Sequence, residues 1–134
     1  MIRIKAMNKK TVYEFANAIN EHSTDKMCSL MTDDHKFIDA HGNEVVGKNK
    51  MKIDWKGYFR RFPDYKIEIT KIFANGEFLG AFGFESGTFR GQQTDNNASS
   101  WPASWKVIVD NDKIKLWQVY EDTKIQFEAK KPSL

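Results

Sequence analysis

The sequence has one cysteine, Cys28, in 134 residues. An intramolecular disulfide is therefore excluded, and a lone thiol fits a reducing compartment, so a cytoplasmic protein is expected. No apolar run reaches the roughly 18 residues that a membrane-spanning helix needs. The basic segment 1–10 has no continuous apolar stretch, so it does not read as a secretory signal. Met7 offers a second start, with residues 1–6 as a loosely ordered extension. No Gly-rich phosphate loop, G-x-S-x-G turn or H-E-x-x-H helix is present. The net charge of +3 is small and spread along the chain, which does not favour nucleic acid.

Aromatic residues, by contrast, are plentiful: ten Phe, four Trp and four Tyr. They fill a core or line a cavity; composition leaves both open. The length suits one domain over residues 1–134, with its core at 8–124.

Val12, Phe15, Ala16 and Ile19 follow an i, i+3, i+4, i+7 pattern, which predicts a helix over about residues 9–21. Ser23 is the N-cap of a shorter helix carrying Met27, Leu30 and Met31, ended by Thr32, Asp33 and Asp34. Residues 35–40 read as a strand, residues 41–43 as a turn, and residues 44–46 as a short extended piece. Met51, Trp55, Tyr58, Phe59 and Phe62 give a third helix one apolar face, and Pro63 stops it. Strands are then expected over residues 65–74, 77–89, 104–109 and 113–121. Asn75-Gly76 and residues 110–112 form the turns, and residues 91–100 a polar loop. The tail beyond Phe127 carries little that would pack. This order predicts an α+β fold: N-terminal helices against one face of a curved antiparallel sheet, a cone with an open mouth.

That order, with FIDAHGNEVVGKNKMKIDWKGYFRRFPDYKI and the later SWKVIVDNDKIKLWQVYEDT, resembles the nuclear transport factor 2-like superfamily. The resemblance covers roughly residues 8–124 and points to the SnoaL-like branch, related to polyketide cyclases and ketosteroid isomerases. It implies a cone-shaped fold with an apolar cavity, no cofactor, and a homodimer formed through the outer face of the sheet. Ile38-Asp39-Ala40-His41-Gly42 falls on the segment that carries the isomerase base, so the resemblance makes Asp39 that base. The isomerase tyrosine falls on Phe15, which has no hydroxyl. Residues 101–109 offer no second carboxylic acid, only Ser104 and indole groups. Steroid isomerisation by the familiar route is therefore not expected, since one such donor is typically worth ~3–4 kcal/mol.

The residues themselves leave two readings of Asp39 open. On the face of Phe37 in a cavity wall, its pKa would rise and it would serve as a base. In the turn, it would cap the loop before Gly42. His41 lies one alternation further and would assist it; His35 and His22 read as surface residues. His35, Asp39 and His41 share a strand face, but a fourth ligand is missing, so no metal is expected. The ligand contacts expected are Phe15, Trp55, Tyr58, Phe59, Phe82, Trp101, Trp105 and Tyr120. The basic residues about the third helix, including Arg60 and Arg61, read as a solvated face. The expected function is a cavity for a small apolar organic molecule. Isomerase- or cyclase-like chemistry would use Asp39 and His41. The alternative is a non-catalytic binding or dimerisation module.

Overall fold

The computed structural model describes residues 2–88 and 100–123. Phe89, residues 91–99 of the expected loop at 91–100 and the tail around Phe127 lie outside the described residues; Ser100, expected in that loop, already opens a strand. In chain order the elements are α1 (Ile2–Asn20), α2 (Thr24–Ser29), β1 (Met31–Ile38), β2 (Glu44–Val46), α3 (Lys48–Arg61), β3 (Lys66–Asn75), β4 (Phe78–Ser86), β5 (Ser100–Asp110) and β6 (Lys113–Glu121).

The α1 stripe of Val12, Phe15, Ala16 and Ile19 is fully or nearly buried, as its period requires. The helix begins at Ile2, so residues 2–6 are its first turns and not a loose extension. Ser23 caps α2 by accepting the Lys26 N–H at 3.2 Å. That helix closes at Leu30; Met31 to Asp34, expected in or just after it, already belong to β1. There the chain pairs with β6, and the Ile114 N–H donates to the Leu30 carbonyl. Long-range pairing thus outweighs local helix preference.

The sheet has six strands in the order β2-β1-β6-β5-β4-β3. It is curved and unclosed, and the helices cover one face. β3 to β6 form the expected antiparallel meander. β1, however, lies parallel to β6, so the sheet is mixed. The β5–β6 turn holds Asn111 and Asp112 at φ 53° and 62°, the pair of positive values that a tight two-residue hairpin favours. Gly83 is required by a close approach: a Cβ there would overlap the Glu68 carbonyl, beside the irregular register between Ile69 and Lys71.

The core lies between the helices and the concave face. Phe15 packs against Trp117 with ring centroids 4.8 Å apart, and Trp105 lies 6.0 Å from Trp117. Along β4 the buried positions are Leu79, Ala81, Gly83 and Glu85. The larger Phe78, Phe82 and Phe84 point to the convex side and are exposed. The aromatic rings of β4 thus project from the face opposite the core, and Ala81 and Gly83 leave room on the concave one. Two histidines also depart from expectation. His35 is completely buried, with Nδ1 2.8 Å from the Ile114 carbonyl. His22 is half-buried, stacked on Phe59 at 4.1 Å and bonded to the Tyr65 carbonyl at 2.7 Å.

Candidate functional site

Between α3 and the concave face of the sheet lies a cavity of about 540 Å³. This is the size range of small-molecule sites, roughly 300–1,000 Å³. One wall is α3, contributing Met51, Trp55 and Tyr58. The sheet supplies Glu85, Trp105, Trp117, Val119 and Glu121, and Tyr65 closes the space near the start of β3. Asp39, Asp54, Arg60, Arg61 and Glu121 carry charge along its lining, and His41 stands with them.

Asp39 follows the end of β1 and belongs to the turn. Its Oδ1 accepts the N–H groups of His41 and Asn43, both at 2.9 Å, and its Oδ2 accepts the Asn43 side chain at 3.0 Å. Partial burial pushes its pKa up, but the Asn43 and His41 hydrogen bonds outweigh that and leave the carboxyl below its usual range. The upward shift expected for a cavity base is therefore not found: Asp39 stands at the cavity as the cap of its own loop.

A different carboxyl has the expected environment. Glu85 on β4 is 1% exposed and lines the cavity. Its direct cross-strand neighbour on β5 is Trp101. Glu121 stands on β6, opposite Ala103, two residues along from Trp101. The Trp101 indole N–H donates to Glu121 Oε2 at 2.9 Å. Burial raises the Glu85 pKa well above the ordinary range, and the hydrogen bond and charge of the adjacent Glu121 carboxyl raise it further. The Tyr65 hydroxyl and the Trp101 indole pull weakly the other way. Glu85 is therefore the carboxyl that holds a proton. Tyr65 is fully buried; burial first, then the charge of Glu85, drives its phenol well upward, so it remains a donor.

Two buried polar atoms among the described residues lie on cavity-lining side chains and have no hydrogen-bond partner: Glu85 Oε1 and Trp55 Nε1. Each would cost roughly 1–3 kcal/mol if it stayed unpaired. Such orphans call for a partner from outside the protein, water or ligand.

Of the residues singled out from sequence, Asp39, His41, Trp55, Tyr58 and Trp105 line the cavity. Phe15 and Phe59 are core residues next to it and do not line it. Trp101 is also absent from the lining and instead anchors Glu121. Phe82 and Tyr120, each 48% exposed, sit on the convex face, away from the cavity. The strand register puts them there: Phe82 and Tyr120 both pair with Ser104, on the opposite side of the sheet from Trp105. Glu85 and Glu121 were missed. The available signal was alternation: Glu85 shares a face with Leu79 and Ala81. Among the described residues no group of three or more His, Cys, Asp or Glu side chains is placed to hold a metal. His35, Asp39 and His41 do not converge. No helix among them is long and apolar enough to cross a membrane.

Residues 12–117 match the family model described as a SnoaL-like domain. A protein with a ketosteroid isomerase-like fold from Catenulispora acidiphila, solved with trimethylamine, is 17% identical; the alignment covers 91% of this chain and 93% of that one, with a TM-score of 0.78. An epoxide hydrolase from M. tuberculosis is 17% identical over 92% and 89% of the two chains, with a TM-score of 0.77. A candidate polyketide cyclase from Xanthomonas campestris is 14% identical over 92% and 96%, with a TM-score of 0.79. Identities this low show the fold alone. No curated protein matches the sequence.

Proposed function

The chain belongs to the SnoaL-like domain family, and we propose that it binds a small, largely apolar organic molecule and acts on it by acid–base chemistry without a cofactor. Glu85 is the proposed acid. One observation carries this reading: Glu85 is nearly inaccessible to solvent, yet it lines a cavity with one carboxyl oxygen unpartnered. A carboxylic acid kept protonated by burial can give a proton to a substrate oxygen that gains negative charge as a bond breaks. Glu121, held by Trp101, is the proposed acceptor on the return step. The Tyr65 hydroxyl, kept protonated by burial, lines the cavity with Glu85, and Trp55 Nε1 is a spare donor for the substrate. Epoxide opening and cyclisation, the activities named for two structural neighbours, both need an acid of this kind. Asp39 and His41 are proposed to shape the mouth; with its carboxylate held in the turn, Asp39 is poorly suited to be the base.

The test is a screen of small epoxides and enolisable ketones with the wild-type protein and Glu85→Gln. Turnover that Glu85→Gln abolishes while ligand binding persists supports the acid. Turnover that survives the substitution would falsify it.

A second reading, self-association, draws on the convex face. Phe73, Phe78, Phe82, Phe84 and Tyr120 are all at least 40% exposed there. Such a cluster of large rings on one sheet face suits burial against a second copy of the chain.

A further inference from the structure

We propose that the ligand is an amphipathic organic anion. Its carboxylate or phosphate group is held at the cavity mouth by Arg60 and Arg61, and its apolar body points inward. The inference rests on the reading of the cavity as a ligand site and adds the substrate class.

Both arginines stand in the last turn of α3 and both line the cavity. Their guanidinium groups converge on one place. A methyl built on Gly57 would stand 3.5 Å from Arg61 Nη1 and 3.7 Å from Arg60 Nη2. The bare glycine leaves a notch between two cations, one of which lies over the Tyr58 ring at 5.9 Å. No carboxylate among the described residues pairs with either. Two other cations of α3 are paired, Lys48 with Asp33 at 2.8 Å and Lys52 with Asp25 at 2.6 Å, and none of the four lysines of this helix lines the cavity. Of the lining acids, Asp39 is engaged by three N–H groups of its own loop, and among the described residues Asp54 makes no ion pair with either arginine.

Arginine at a helix C-terminus compensates the helix dipole, which explains one basic residue there. It does not explain two guanidiniums turned toward the same glycine notch at a cavity mouth. That arrangement suits the planar, multi-donor recognition of a carboxylate or phosphate. Behind the notch Trp55, Trp105 and Trp117 make the apolar part of the wall, beside the carboxyls of Glu85 and Glu121.

The experiment measures affinity for phenylhexanoate, its methyl ester and phenylhexyl phosphate, by titration calorimetry at low salt. The wild type and the double variant Arg60→Gln/Arg61→Gln are compared. At least one anion is expected to bind roughly tenfold or more tighter than the ester, the scale of one charge-assisted hydrogen bond. In the double variant that advantage should vanish while the ester binds as before, which also shows that the variant is folded. A larger gain for the carboxylate or for the phosphate assigns the group, and either upholds the proposal. An ester that binds wild type as well as both anions overturns it and leaves the cavity reading standing; so does an anion preference that survives the double substitution. Failure of all three ligands to bind overturns both.

Discussion

Glu85 and Trp101 stand directly opposite each other on β4 and β5, and the Trp101 indole donates to Glu121 on β6 at 2.9 Å. Three neighbouring strands thereby bring together two carboxyls that line the cavity and one donor that does not. Each residue alone would be an ordinary strand position. Burial and the adjacent Glu121 keep the Glu85 carboxyl protonated, at a cost in folding stability that a merely structural residue would not need to impose.

That cost is measurable. The folded-state pKa of Glu85 lies above the unfolded value of 4.5. Its favourable contribution is thus complete below pH 4.5 and is lost as pH rises toward the folded pKa, where the unfolded chain is already ionised. Glu85→Gln keeps the shape and removes the titration. The variant should melt higher than wild type at pH 8 and close to it at pH 4. A lower melting temperature at pH 8 would show instead that the Glu85 carboxyl holds the strands together.

His35 sets the opposite trend. Burial dominates and depresses its pKa below 6.5, although the bond to the Ile114 carbonyl opposes this. The stability it supports is present above pH 6.5 and declines as pH falls through 6.5 toward the folded value, because the unfolded chain takes up the proton first. Between pH 7.5 and 5 the denaturant midpoint of wild type should fall relative to that of His35→Phe, in which the Glu85 trend remains. A difference between the two that does not change with pH would show that His35 does not contribute.

Asp39 is expected to matter more to the turn than to chemistry. Asp39→Ala removes three hydrogen bonds from the loop at residues 39–43. A loss of about 1 kcal/mol is expected, since the group is partly solvated. Its depressed pKa means that its contribution is present above pH 3.8 and disappears as pH falls below it. Urea titrations at pH 7 and pH 3 test this: the variant should trail wild type at the first and converge with it at the second. If Asp39→Ala abolishes activity with stability intact, the carboxylate takes part in the reaction.

Gly57 lies mid-helix in α3 with room for a methyl group. Gly57→Ala should raise stability by roughly 0.5–1 kcal/mol through helix propensity. A destabilised variant would mean that the notch beside Arg60 and Arg61 is closed to side chains.

The convex face predicts self-association. Phe82→Lys places a charge amid Phe73, Phe84 and Tyr120. Light scattering should find wild type as a dimer and the variant as a monomer of unchanged melting behaviour at low concentration. A wild type that stays monomeric at high concentration removes this reading.

Local signals determined much of the fold. The α1 stripe, the Ser23 cap, the α3 face and the two hairpin turns were legible because each depends on residues a few positions apart. The α+β order followed from them. Sequence also fixed which residues of β4 alternate, but not which set turns inward. Phe82 attracts the eye as a cavity residue, yet the inward set is Leu79, Ala81, Gly83 and Glu85. The register of β3, β4 and β5, together with Gly83 meeting the Glu68 backbone, makes that choice. Only tertiary structure could bring Glu85, Trp101 and Glu121 together, because strand pairing joins positions that no local period relates. It also decided the fate of Asp39. A carboxylate near a cavity becomes a base or a loop cap according to where neighbouring N–H groups point, and those of His41 and Asn43 point at Asp39.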